Sequence, residues 1–326
     1  MASITFSPST LSGRALVPPA KSEAHRALLL AAFSGRECRL NGFPPPLCDD
    51  THAMMNGITA LGASVRQEGT QLVVSPIPRD HPVQPMVDCC VHACAAALRM
   101  LIPAFLVRGQ AVRFLMEPGL FKRPLDAFEP LMEKLGAKMN RIPAQNGGKA
   151  VVEITGRMPA GSYEIDGSRS SQFASGMLIA LAQAAPSTLT VTGPIVSRPY
   201  LDMTLSLMKH FGIAFTEESE GVFALSSAQS APAEADVSGD WSQAAVFLCM
   251  NAMGADIAVD NLYAGDDGLQ GDARVVEVLS AMKSETGMRA SLIDCSDIPD
   301  LAPILALTCS QADTDRNSHR NTELHL

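Results

Sequence analysis

No stretch of this sequence is apolar for long enough to cross a bilayer: the longest apolar run, around residues 98–107, is broken by Pro103. The first ten residues, MASITFSPST, have neither a basic start nor a long apolar segment, so a secretory leader is not expected and the expected location is the cytoplasm. Paired CxxC modules are missing too. The eight cysteines (38, 48, 89, 90, 94, 249, 295 and 309) read as reduced, mostly buried thiols. Cys89, Cys90 and Cys94 with His92 have no second ligand pair at finger or ribbon spacing, so no metal is expected. Excess positive charge is also lacking. The net charge of −9 argues against nucleic acid or an anionic membrane as partner.

What is present is ordinary for a globular chain: 326 residues, 47% hydrophobic and 18% charged. That length predicts two domains, each able to bury its own core. Four segments share one pattern of apolar-periodic helix, glycine and strand-like run: ITALGASV, MEKLGAKM, MKHFGIAF and, more loosely, MKSETGMRA. Their glycines, Gly62, Gly136, Gly212 and Gly287, are spaced by 74, 76 and 75 residues. Each suits a helix C′ position, where a left-handed backbone penalises a Cβ. Plausible helix starts precede them at Asp49–Thr51, Arg123-Pro124, Tyr200–Asp202 and Gly271-Asp272. β-branched runs recur at Leu72–Val74, Val151–Ile154, Thr188–Val191 and Ile257–Val259. The pattern predicts a tandem α/β repeat and by itself names no activity.

Cations and hydroxyls collect at predicted helix starts. Pro18-Pro19-Ala20-Lys21-Ser22-Glu23-Ala24-His25-Arg26 opens an apolar helix over 27–32, with Ser22 as the candidate cap. A free helix N-terminus suits phosphate or carboxylate, and Lys21 and Arg26 add full charges. From this segment alone, a capped surface helix with solvated basic residues explains the pattern equally well. Gly167-Ser168-Arg169-Ser170-Ser171-Gln172 begins a second helix with three serines, where a cap needs one. Ser197-Arg198-Pro199-Tyr200 and Lys122-Arg123-Pro124 repeat the placement before two more helices.

These segments resemble, in order, those of the EPSP synthase family. KSEAHRALLLAA is similar to its KSxxHRxLLxAA segment, GSRSSQFASGMLIAL to its SSQF helix, and SRPYLDMTLSLMKHFGI to its PYxDxTLxLM segment. FKRPLDAFEPLMEKLGA, VSGDWSQAAVFL, LQGDARVVEVL and DCSDIPDLAPILA resemble four further family motifs, so the likeness covers roughly residues 5–308. A rival family of the same architecture, the UDP-N-acetylglucosamine enolpyruvyl transferases, carries a reactive cysteine just before the Arg-Pro pair. Met116–Lys122 contains none here.

The resemblance implies an α/β, two-lobed enolpyruvyl transferase fold (an inverse α/β barrel) of repeated βαβαββ units. Residues 18–235 would form a complete lobe that binds shikimate 3-phosphate. Residues 1–17 and 236–326 would form the second lobe, incomplete because it lacks its last repeat. The implied reaction moves the enolpyruvyl group of phosphoenolpyruvate to the 5-hydroxyl of shikimate 3-phosphate, on the route to chorismate and the aromatic amino acids. By the same resemblance, Lys21, Ser22, Arg26, Ser170, Ser171, Gln172, Ser197, Tyr200 and Asp300 would hold or line shikimate 3-phosphate. Lys21, Arg99, Arg123 and Gln172 would hold phosphoenolpyruvate. Asp300 and Lys21 would be catalytic, Asp300 as the base on the hydroxyl. No cofactor, metal, nucleic acid or membrane is implied, and a monomer is expected.

Two departures from the family pattern accompany the likeness. Where the family's phosphoenolpyruvate loop has a glycine and a threonine, this chain has Ala95 and Ala96. A methyl group at the glycine position is expected to weaken phosphoenolpyruvate binding. Family members also continue past position 326, and the last stretch here, Asp313–Asn321, is polar and aperiodic. Very low turnover is therefore expected, with a catalytically impaired fragment or a remnant that binds shikimate 3-phosphate as the alternative.

Overall fold

The computed structural model describes residues 10–226, 231–262, 269–284, 287–288, 292–311 and 324–325. The polar stretch at 313–321 lies outside them. The chain divides into two compact units, Pro19–Val237 and the described residues of Met1–Pro18 with Ser238–Leu326.

Strand β1 (Ser12–Leu16) belongs to the second unit, and the chain then enters the first. There it runs through α1 (Lys21–Phe33), β2 (Cys38–Asn41), α2 (Asp49–Ala60), β3 (Ser64–Glu68) and β4 (Gln71–Ser75). A second passage comprises β5 (Val87–His92), α3 (Ala95–Arg108), β6 (Val112–Met116), α4 (Pro118–Phe121), α5 (Glu129–Leu135), β7 (Lys138–Ile142) and β8 (Ala150–Thr155). A third comprises β9 (Ser162–Asp166), α6 (Ser171–Leu181), β10 (Ser187–Thr192), α7 (Arg198–His210), β11 (Phe215–Ser219) and β12 (Val222–Leu225). Strand β13 (Glu234–Asp236) ends the unit.

The strands form three four-stranded sheets with the same internal order: β13-β2-β4-β3, β5-β6-β8-β7 and β9-β10-β12-β11. In each, the first two strands are parallel and the remaining pairings antiparallel. Parallel neighbours need a crossover, and α3 and α6 supply it in the second and third sheets. In the first sheet the parallel partner of β2 is β13, from the far end of the unit.

The repeat glycines act as the sequence predicts in three of four places. Gly62, Gly136 and Gly212 follow α2, α5 and α7 with φ of 106°, 59° and 71°. The fourth copy departs. Its helix ends at Met282, Lys283 is extended, and Gly287 pairs with Ser284 in a two-residue antiparallel strand instead of capping a helix.

Helix burial follows composition. α3 and α6 are apolar nearly all round and bury the continuous runs 100–106 and 173–181, while α1 buries 23–32 with Glu23, His25 and Arg26 among them. Such helices belong at a core centre, whereas α7 shows the polar face of a helix beside solvent. Gly176 explains how closely α3 and α6 pack. A Cβ there would lie 2.8 Å from Met100 Cα and 3.0 Å from the Arg99 carbonyl oxygen. That carbonyl is the one Pro103 cannot bond within α3, since proline has no N–H to offer four residues back.

The second unit pairs β1 in parallel with β14 (Asp256–Asp260), across α8 (Trp241–Ala252). Its small core gathers Ala245, Cys249, Leu279, Ile298 and Leu305 from α8, α9 (Val275–Met282), α10 (Ala302–Cys309) and the turn before α10. Among the described residues, no helix is long and apolar enough to cross a membrane.

Candidate functional site

Side-chain bonds tie together the N-terminal halves of five helices in the Pro19–Val237 unit. Arg26 of α1 is 1% exposed. Its Nε donates to Thr204 Oγ1 of α7 (2.6 Å), Nη2 to Ser175 Oγ of α6 (3.1 Å) and to the Tyr200 carbonyl of α7 (2.9 Å), and Nη1 to the Ser22 carbonyl (2.6 Å). Thr204 in turn donates to Ser175 Oγ or to the Tyr200 carbonyl. Arg99 of α3 donates to Gln172 Oε1 of α6 (3.0 Å) and lies 4.7 Å from the centre of the Phe173 ring. Lys21 of α1 pairs with Asp50 of α2 at 3.2 Å. The fully buried His25 places Nε2 2.9 Å from the Asp50 carbonyl oxygen and 3.9 Å from Cys94 Sγ, at the start of α3. The positive ends of the helix dipoles therefore collect at one end of the bundle.

Burial and charge set the protonation here. Desolvation pushes His25 down to about 4, so the ring is neutral, and its Nδ1 is buried without a partner. Burial works to raise the Asp50 carboxyl, but Lys21, Cys94 and His25 together hold it below the ordinary range. Arg99 is lowered by desolvation and by neighbouring Arg123, and its Nε is buried with no partner. Two guanidiniums close together favour an anion between or beside them.

Several of the expected residues lie at these helix starts. Ser170 caps α6, its hydroxyl accepting from Gln172 N at 3.3 Å, and Ser171 is the first helical residue. Ser197, at φ 54°, precedes α7, and Val196 N bonds the Gly167 carbonyl, so the α6 and α7 starts are neighbours. Arg123 is exposed, next to Pro124, whose carbonyl accepts from Arg99.

One expectation changes. α1 begins at Lys21 with Ala20 at the cap position, so Ser22 lies within the first turn and does not cap. Arg26 is almost fully buried: burial lowers it to about 10, and the hydrogen bonds it makes here tie α1 to α6 and α7. Asp50 enters the sequence reading only as part of a helix start, and Ser175 and Thr204 have no role in it. Thr204 was the findable one, a hydroxyl on the apolar face of α7, four residues after Tyr200.

Asp300 belongs to the other unit and is exposed, on the turn Pro299–Leu301. Near it is Asp272, 3% exposed, which accepts the Ser242 hydroxyl and is pushed up to about 6 by burial, with Asp300 and Asp240 adding to the rise.

Residues 6–322 match the family model of EPSP synthase (3-phosphoshikimate 1-carboxyvinyltransferase). The 3-phosphoshikimate 1-carboxyvinyltransferase of Clostridioides difficile (strain 630) is 31% identical over 332 residues, covering 95% of this chain and 74% of the relative. That of Clostridium beijerinckii is 28% identical, with the same coverage. Among solved structures, an EPSP synthase from Acinetobacter baumannii aligns with a TM-score of 0.68 at 17% identity, over 91% of this chain and 70% of that one. The enolpyruvyl transferase NikO from Streptomyces tendae gives 0.62 at 15% identity, over 94% and 74%. At these identities the structural likeness speaks for the fold.

Proposed function

The chain belongs to the EPSP synthase family, and from that premise we propose how its residues divide the work of the family reaction. It is an enzyme of the 3-phosphoshikimate 1-carboxyvinyltransferase class with the two-lobed α/β enolpyruvyl transferase fold, acting in the shikimate pathway. The reaction joins the enolpyruvyl group of phosphoenolpyruvate to the 5-hydroxyl of shikimate 3-phosphate and releases phosphate.

In our reading, the Pro19–Val237 unit is the lobe that captures shikimate 3-phosphate. Lys21, Ser22, Ser170, Ser171, Gln172 and Ser197 donate to it, and Tyr200 lines it. Lys21, Arg99, Arg123 and Gln172 take the carboxylate and phosphate of phosphoenolpyruvate. Asp300 removes the proton from the attacking hydroxyl, while Lys21 stabilises charge that develops on the transferred group. The observation that carries the reading is the set of helix N-terminal halves bonded to one another, with Lys21 and Arg99 among the residues that join them. Ala95, the first residue of α3, puts a methyl group where backbone N–H groups would face phosphoenolpyruvate, and weakens its binding. A cytoplasmic, monomeric enzyme goes with this reading.

Phosphate release with both substrates present tests it. Replacing a general base costs about 10²–10⁴-fold. Asp300→Asn is expected to lower the rate by that factor and to leave shikimate 3-phosphate binding unchanged. An Asp300→Asn rate equal to that of the parent would remove Asp300 from the mechanism.

A further inference from the structure

The sheet β5-β6-β8-β7 buries one face and leaves the other partly open. Alternation puts Asp88 and Cys90 of β5 with Leu115 of β6 on the open face, while Cys89 and Val91 point into the core. Helix α2 runs alongside, and Asn56 Nδ2 donates to the Cys90 carbonyl at 3.0 Å. Between helix and sheet lies a groove of about 470 Å³, lined by His52, Asn56, Asp88, Cys90 and Leu115 among others. Lys149, the residue before β8, brings its Nζ to 2.8 Å from Cys90 Sγ. That contact holds the Lys149 ammonium above its usual range.

The other cysteines on this part of the chain are placed differently. Burial pushes Cys89 and Cys94 each up to about 12, which leaves them as unreactive thiols. Cys48 is exposed, and its sulfur meets the Thr51 hydroxyl at 3.2 Å. The thiolate is the form of a cysteine that peroxide attacks. Cys90 combines access from the groove with an amine already at bonding approach to the sulfur.

We propose that Cys90 and Lys149 form an oxidant-driven cross-link, with hydrogen peroxide as the oxidant. In the first step the Cys90 thiolate attacks peroxide, its O–O bond breaks, and the sulfur becomes a sulfenic acid with loss of hydroxide. In the second, the Lys149 ammonium gives its proton to that hydroxide and the free amine attacks the sulfur. An S–N bond forms, the S–O bond breaks, and the hydroxyl leaves as water with one amine hydrogen. In sum, thiolate, ammonium and peroxide give a sulfenamide and two waters, the sulfur losing two electrons and the peroxide gaining them. The product ties β5 to the start of β8 across β6 and is opened again by a thiol. Closing the chain between residues 90 and 149 restrains the unfolded state, as a disulfide does.

Mass mapping of the whole chain after limited peroxide treatment tests this. The parent is expected to yield a linked peptide that contains Cys90 and Lys149, lighter by two hydrogens than the two peptides together. Dithiothreitol is expected to abolish it. In Lys149→Arg, an exposed position, the linked peptide falls below detection and a dimedone adduct on Cys90 rises in its place. Cys90→Ser removes both, and Cys48 gives no lysine-linked product in any variant. The proposal is overturned if Cys90 in the parent goes only to sulfinic acid or to a disulfide. It is equally overturned if the linked peptide persists in Lys149→Arg.

Discussion

Arg26→Met is expected to lower the unfolding free energy by about 3–5 kcal/mol, the cost of disrupting a buried charge and its hydrogen bonds. The side chain is 1% exposed and joins three helices, so its loss leaves the Ser175 and Thr204 hydroxyls and the Ser22 and Tyr200 carbonyls without their shared donor. Methionine fills much of the volume and supplies no N–H group. Buried Glu23 also loses a favourable charge nearby. Arg26→Lys keeps the charge but not the planar fork, and should fall between parent and Arg26→Met. Urea unfolding, with the midpoint read at constant slope, measures the series. A change within about 0.5 kcal/mol, the range of ordinary surface substitutions, would show that Arg26 does not hold the frame.

The second large effect is a dependence on pH centred on His25. Burial holds the folded-state ring at about 4, against about 6.5 in an unfolded chain. The folded state therefore binds this proton more weakly. The stability due to neutral His25 is complete above about pH 6.5 and is lost as pH falls toward 4. From these two values the loss is about 2 kcal/mol by pH 5 and on the order of 3 kcal/mol by pH 4. Burial sets the sign. The Asp50 carbonyl and carboxylate favour the charged ring, Lys21 and Arg26 each oppose it by less, and Nδ1 has no acceptor for a second proton. His25→Gln should remove most of the decline between pH 7 and 5. The Asp50 carboxyl, held below its ordinary range, still loses its stabilising effect at lower pH in both proteins. Parallel pH curves for parent and His25→Gln would place the titration elsewhere.

Much of this was legible in the residues. The 75-residue period reports the three similarly ordered sheets, because each βαβαββ passage needs a glycine where its second helix turns into an antiparallel pair. Gly287 broke the pattern because the chain after Met282 goes straight into a short strand and does not use a left-handed cap. The three serines marked the start of α6, where Ser170 caps the helix and Ser171 opens its first turn. Arg26 could not be told from Lys21 by sequence. Five positions apart on one helix, Lys21 starts the first turn with its side chain half exposed, while Arg26 lies inward against α6 and α7. Spacing within one helix carries no information about which neighbour covers it. Asp50 and Thr204 were hidden for the same reason, since their partners come from other helices.

The central claim is that the assembled helix starts of the Pro19–Val237 unit bind a phosphorylated anion without help from phosphoenolpyruvate. Titration calorimetry of shikimate 3-phosphate into the whole chain measures this directly. The parent should show saturable binding that weakens with added salt. Lys21→Ala should cost on the order of 2 kcal/mol, about thirtyfold in Kd, the usual worth of a charge-assisted hydrogen bond. Absence of saturable binding by a folded parent, or equal affinity of parent and Lys21→Ala, would contradict the account.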